Sequence, residues 1–265
     1  RLVLIAGPSS AGKTTSAKRL GIHLRVNGFR PVMLSTDDYF VGDSRNPLDA
    51  DGKPDYEHLE ALDLAMFNEH LTALLAGEPV RRRLFDFHAK QPVFTGETLQ
   101  LQPRDILIVE GIHGLNPALT TMVPRERKFM IFLSALTQLG IDDNNILSTT
   151  DNRLIRRIVR DHLFRKHSAL DTIRMWPSVR RGEERWIFPY QEEADISFNT
   201  ALDYELAVLR PFAEPLLAEI KPHHAEYATA RRLQAVLRNF HAITPIAVPG
   251  DSILREYIGG SLLKY

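Results

Sequence analysis

The stretch GPSSAGKT, residues 7–14, constrains this chain more than any other. It follows the apolar run LVLIA and precedes a stretch with helical spacing. It fits G-x-x-x-x-G-K-[ST], the loop that cradles phosphates between a strand and a helix. Gly7 and Gly12 permit backbone angles and close approaches that a side chain would block. The amide groups of Ser9, Ser10, Ala11, Gly12, Lys13, Thr14 and Thr15 can then point at phosphate oxygens. The following helix adds its positive end. Lys13 is expected on the β- and γ-phosphates, and the Thr14 hydroxyl on Mg²⁺. The expected ligand is therefore a nucleoside triphosphate with Mg²⁺. A chance match to four fixed positions is rare, and this one lies in the strand–helix context that the motif requires.

The rest of the chain reads as alternating strands and helices. Leu2 to Ala6, Pro31 to Ser35, Ile106 to Val109 and Met130 to Leu133 are short apolar runs, expected as buried strands, and Ile196 to Phe198 reads as a last short strand. Lys13 to Val26 reads as a helix ended by Asn27-Gly28, and residues 57–76 as an amphipathic helix stopped by Gly77. Arg81 to Phe87 and Val93 to Leu101 read as a β-hairpin over HAKQP. Asp151 to Lys166 is a charged helix, and residues 202–220 form a last long helix. Residues 167–192 show no clear period, and the tail from about 240 has no assignment. This order implies an α/β fold in three layers with a parallel central sheet, a P-loop NTPase fold carrying β-hairpin and helical lid insertions. One domain is expected over 1–265, with a lid at about 151–192 and a C-terminal tail at about 240–265. The chain starts on Arg1 and enters a strand at once, which reads as a piece with a region missing upstream.

Composition narrows the partners. The chain has 265 residues, enough to bury a large core without staples. Lys plus Arg equals Asp plus Glu at 33 each, so no global charge favours a nucleic acid or a membrane. With no cysteine, disulfides, thiolate zinc sites and cysteine nucleophiles are excluded, which fits a cytoplasmic setting. No apolar run approaches the ~20 residues that span a bilayer. The partner implied is a small molecule, and a homo-oligomer stays open.

In an open parallel sheet, chemistry collects beyond the carboxyl ends of the strands. Asp37 and Asp38 follow the second strand, and Glu110 follows ILIV. Phosphoryl transfer to a hydroxyl needs positioning, a divalent metal and a carboxylate to take the acceptor's proton. Asp37 could do this or could cap a turn, and Glu110 could be a solvated loop residue. Arg153, Arg157 and Arg160 share a helix face, with Arg156 beside it. Such a face is either solvated or turned to phosphate.

GPSSAGKTT, LSTDDYF, DYEHLEALD, the FDF strand, ILIVEGIHGLN and the arginine-rich helix occur in one order. In this the chain resembles the uridine kinase and phosphoribulokinase family, over nearly all of residues 1–220. It resembles most the bacterial uridine kinase-like group, to which the tail SILREYIGGS is also similar. The resemblance implies an ATP- and Mg²⁺-dependent kinase acting on a small hydroxyl acceptor, usually the 5′-hydroxyl of a nucleoside such as uridine or cytidine. By position, Asp37 resembles the family's general base, and Glu110 the residue that holds Mg²⁺ through water. Tyr56 and Glu57 resemble an aromatic and an aspartate that grip the ribose, with Glu in place of Asp. Tyr39 and Phe85 fall near the acceptor pocket. Arg156, Arg157 and Arg160 resemble arginines that neutralise the transferring group, and Arg180 and Arg181 are further lid candidates. The hairpin departs from the pattern. Where uridine kinases carry a histidine and an arginine, this chain has Lys90 and Pro92, with His88 as a stand-in. Kinases for a sugar phosphate or pantothenate are the near alternatives, and a regulatory ATP-binding module is the competing class. A GTPase is disfavoured, since no N-K-x-D is present and Glu110-Gly111 stands where D-x-x-G would be.

Overall fold

The computed structural model describes residues 1–49, 52–86, 89–140, 142–143 and 146–264. The chain divides into two compact units. Unit 1 comprises Arg1–Pro8, Ser16–Leu133 and Arg181–Phe198, and unit 2 comprises Ser9–Thr15, Ser134–Arg180 and the residues from Asn199 onward.

Unit 1 is built on a sheet whose strand order is β2-β5-β1-β6-β7. The strands are β1 (Leu2–Ala6), β2 (Arg30–Ser35), β5 (Asp105–Glu110), β6 (Lys128–Ser134) and β7 (Ile196–Asn199). β1 runs parallel to β5 and β6, with Leu4 opposite Val109 and Met130, and β2 runs parallel to β5, with Ser35 opposite Glu110. The apolar runs are the cause. Leu4, Ala6, Leu107 and Val109 are all fully buried, as expected of strands covered on both faces. The register sets the carboxyl ends of β2 and β5 side by side.

Helix α1 (Lys13–Val26) ends where expected. Gly28 takes φ +79°, and Phe29 N donates to Leu24 O, the left-handed stop that glycine supplies. Helix α2 (Leu64–Ala76) is shorter than the expected 57–76. Asp63 caps it by accepting from Met66 N at 3.2 Å, while Asp63 N donates to Tyr39 O. Upstream, His58 accepts from Glu60 N and residues 59–61 form a single 3-10 turn. Capping side chains thus compete with the helix for its own amides. Gly77, at φ +83°, closes α2. The hairpin is β3 (Val80–Asp86) with β4 (Gln91–Leu99), antiparallel. Phe87 and His88 lie outside the described residues, so the reading of His88 does too.

Unit 2 has its own core. Helix α3 (Thr149–Arg165) starts on the cap Ser148. Helix α4 (Ala169–Trp186) occupies most of 167–192, where no period was evident. The period is present, since Ala169, Ile173, Trp176 and Val179 are buried. Pro177 and the interleaved arginines obscure it, and Pro177 lies on the exposed side of the helix. Helix α5 (Glu205–Ala218) matches 202–220, and helix α6 (Tyr227–Arg238) was not anticipated. Helix α7 (Arg255–Ile258) is one turn of the tail. The stretch expected to form a lid, 151–192, gives α3 and most of α4 to this core. Among the described residues no helix is long and apolar enough to cross a membrane.

Candidate active site: a phosphate loop and acidic strand ends

The loop after β1 is held from outside by named donors. Gly7 is required by space, because a Cβ there would fall 2.1 Å from Leu133 O. Gly12, at φ +79°, is required by conformation as well, and its Cβ would fall 2.9 Å from Ile253 Cδ1. Ser10 is in the left-handed region at φ +59°, unusual for a residue with a side chain. Each carbonyl from Ser9 to Ala11 is taken by a side chain of unit 2. Arg153 Nη1 donates to Ser9 O at 3.0 Å. Arg156 Nη1 and Tyr257 OH donate to Ser10 O at 3.2 and 3.0 Å. Thr200 Oγ1 donates to Ala11 O at 2.7 Å. Carbonyl oxygens repel phosphate, so committing them to protein donors suits an anion cradle. Among the described residues, Ser10 Oγ is buried without a protein partner. The residues present therefore fit a nucleotide's phosphates.

Four of the five arginines of α3 divide into two pairs. Arg153 and Arg156 are fully buried. Arg156 donates to Thr200 O at 2.8 Å and to the buried Glu205 carboxylate, and its guanidinium lies 5.2 Å from the Tyr257 ring. Burial works against its charge, but Glu205 outweighs this and raises its pKa. Arg156, expected on substrate, is thus placed in the core behind the loop. Arg157 and Arg160 are only partly buried. Arg157 Nη1 donates to Ser9 Oγ at 2.7 Å, and both arginines bind the buried Asp161, at 3.2 and 2.7 Å. Burial would raise the Asp161 pKa, but Arg160, Arg157 and Arg165 hold it below the usual carboxylate range. Asp161 orients both arginines, a role that sequence alone did not suggest. Lys13 and Thr14 sit half-buried at the start of α1. Thr15 is buried, and its hydroxyl donates to Glu256 Oε2 at 2.5 Å.

In unit 1, the acidic strand ends are linked by a residue the motif reading passed over. Ser35 Oγ accepts from Asp37 N at 3.3 Å and donates to Glu110 Oε1 at 3.1 Å. One hydroxyl thus ties the turn carrying Asp37 to the carboxylate of Glu110. Its place in LSTD was the available signal. Gly111 lets the two ends meet, since a Cβ there would fall 1.8 Å from Thr36 Oγ1. Asp38 is mostly buried beside Asp37, and burial, then that neighbouring charge, pushes its carboxyl up to about 6.

The expected acceptor residues are placed as follows. Tyr39 is fully buried, its hydroxyl 2.9 Å from His70 Nδ1 and its ring edge-on to Phe67. Phe85 is buried against Phe40. Tyr56 is half-buried and donates to Asp43, whose other oxygen binds Lys90 Nζ at 2.7 Å. Asp43 thus gathers Tyr56 and Lys90, a cluster that sequence reasoning missed. Glu57 packs against Gly182 of α4, where a Cβ would fall 2.2 Å from Glu57 Cβ. Arg181 lies 4.0 Å from Asp49, and Arg180 is half-buried. Among the described residues, no three His, Asp or Glu side chains form a metal cluster by themselves. A Mg²⁺ ion held partly by phosphate oxygens needs only one or two protein donors, and a hydroxyl such as that of Thr14 is one such donor by chemistry.

A parallel sheet with this strand–loop–helix and acidic strand ends defines a P-loop phosphotransferase. The family model described as the phosphoribulokinase / uridine kinase family matches residues 2–207, and the chain belongs to that family. A uridine kinase of Bacillus pumilus is 32% identical over 193 residues, covering 72% of this chain and 82% of that protein. A uridine kinase of Clostridium botulinum is 29% identical over 196 residues, 74% of this chain and 85% of that one. A solved structure from a Silicibacter species, titled as a putative fructose transport system kinase, superimposes with a TM-score of 0.53 at 18% identity. It covers 75% of this chain and 89% of that one, and shows the shared fold. The chain is therefore a kinase that phosphorylates a hydroxyl group.

Proposed function

We propose that this kinase transfers the γ-phosphoryl group of ATP, with Mg²⁺, to the 5′-hydroxyl of a nucleoside such as uridine or cytidine. The observation that carries the reading is the loop with its carbonyls turned to protein donors, in a chain whose relatives are named uridine kinases. In this reading the loop from Gly7 to Thr15 binds the phosphates. Asp37 accepts the proton of the attacking hydroxyl as its oxygen bonds to the γ-phosphorus and the bond from that phosphorus to the β-phosphate oxygen breaks, releasing ADP. Lys13, Arg157 and Arg160 offset the negative charge that spreads over the transferring group. Thr14 and Glu110 would hold Mg²⁺, which would supply charge neutralisation at the phosphates. Tyr56 and Glu57 would hold the sugar, with Tyr39 and Phe85 supporting that pocket from the core. Arg156 would act through the loop, since its described partners are Ser10, Thr200 and Glu205.

The test is ADP release from MgATP with each of uridine, cytidine, adenosine, guanosine, pantothenate and ribulose 5-phosphate. Strong stimulation by uridine or cytidine is expected. Stimulation by pantothenate or ribulose 5-phosphate alone would overturn the nucleoside assignment. Binding of ATP with no stimulation by any acceptor would favour a regulatory module.

A further inference from the structure

The segment Ser252–Ile258 lies beyond residues 2–207, the region that the family model matches, and has no role in the function proposed above. It nevertheless touches the phosphate loop at three points. Ile253 fills the space against Gly12, where a Cβ would fall 2.9 Å from its Cδ1. Tyr257 OH donates to Ser10 O at 3.0 Å, across 247 residues of sequence. Glu256 accepts from the Thr15 hydroxyl and, at 3.4 Å, from its backbone N.

We propose that Tyr257 is a positioning residue for the phosphate loop, holding Ser10 in its left-handed conformation. Ser10 sits at φ +59°, which a residue with a Cβ adopts at a cost and keeps only where its surroundings over-determine it. Its carbonyl receives two donors, Tyr257 OH and Arg156 Nη1, and the arginine itself rests over the Tyr257 ring. Tyr257 is fully buried in the core of unit 2, where the ring alone would fill the space. A buried phenol hydroxyl needs a partner, and the partner here is the strained residue of the loop. If the carbonyl turned inward it would face the phosphate, so fixing it outward pre-organises the amides for an anion.

The inference rests on the loop being a nucleotide site, and the experiment separates the two. Tyr257→Phe keeps the ring and removes the hydroxyl. Affinity for MgATP is measured by calorimetry, without acceptor, together with amide exchange in residues 9–12 and the thermal midpoint of the nucleotide-free protein. The expected result is a Kd raised about tenfold, with at least fivefold faster exchange in the loop and unchanged exchange in α6. The midpoint should fall by no more than about 4 °C, as for one lost hydrogen bond. In a Ser10→Gly background, where the left-handed conformation is no longer strained, Tyr257→Phe should change Kd by less than threefold. A Tyr257→Phe protein with wild-type Kd and wild-type loop exchange would make Tyr257 a core filler and overturn the proposal. If the wild-type chain binds no MgATP, the nucleotide reading fails, while the exchange measurement, which needs no ligand, still decides whether Tyr257 braces the loop.

Discussion

At the end of β2, one serine hydroxyl serves two carboxylate-bearing segments. Ser35 Oγ receives the amide of Asp37 and gives its proton to Glu110, so the two acidic residues are set by one short contact. Asp38 is the carboxyl that the fold pushes up to about 6, through burial and the charge of Asp37. A folded-state pKa above the ordinary value means that protonation favours the fold. Stability from this group is fully present below about pH 4 and is lost as pH rises through about 6. Asp38→Asn should flatten the pH dependence of the melting temperature between those values. It should also raise stability at pH 8 by at most about 3 kcal/mol, at about 1.4 kcal/mol per unit. An unchanged melting profile would show that Asp38 is solvated in the native state. Asp37→Asn tests the other member. Turnover should drop by roughly 10² to 10⁴ with MgATP affinity within about twofold of wild type, because a base is lost and the loop is untouched. A variant that keeps its turnover would remove Asp37 from the proton transfer.

Elements show where sequence patterns carry information and where they do not. The strands β1, β2, β5 and β6 were legible because a strand buried on both faces must be continuously apolar. Helix α1 was legible from its glycine loop at one end and Asn27-Gly28 at the other. The first seven residues expected of α2 are not α-helical because His58 and Asp63 satisfy amides from their side chains, a competition that periodicity does not register. Helix α4 was hidden by Pro177 and by arginines between its buried positions, and α6 by the polar stretch around it. Within α4, Gly182 marks a contact that no motif announced. It lies against the side chain of Glu57, which is proposed to hold the acceptor sugar. Gly182→Ala would place a methyl 2.2 Å from Glu57 Cβ, so Glu57 or the helix must shift. Overpacking of this kind costs about 1–3 kcal/mol. The KM for the acceptor should rise roughly tenfold while the Kd for MgATP, read without acceptor, stays unchanged. A KM equal to wild type would disconnect Glu57 from acceptor binding.

Among the described residues two cores form, and the loop residues Ser9–Thr15 belong to the unit that holds the second. That is why one half of an arginine-rich helix, which reads as either solvated or phosphate-facing, is neither. Its buried half is a polar core in which Glu205 accepts from Arg156, from Asn152 and, at 3.2 Å, from Leu202 N. Arg156 and Glu205 have almost no exposed side chain, so each depends on the other for its charge. Glu205→Gln leaves a buried guanidinium without its counter-charge, a change that typically costs about 3–5 kcal/mol. At about 2–4 °C per kcal/mol for a chain of this size, the melting temperature should fall by roughly 10 °C. Replacing both partners with apolar residues, Arg156→Met with Glu205→Leu, should recover most of that loss, because no unpaired charge remains. It should not recover nucleotide affinity, since Ser10 O and Thr200 O would lose the donor that Arg156 supplies. Thermal unfolding of the single and double variants, each with and without MgATP, separates these effects. If the double variant melts and binds MgATP like the wild type, the pair serves the core alone, and the loop is held by its other contacts.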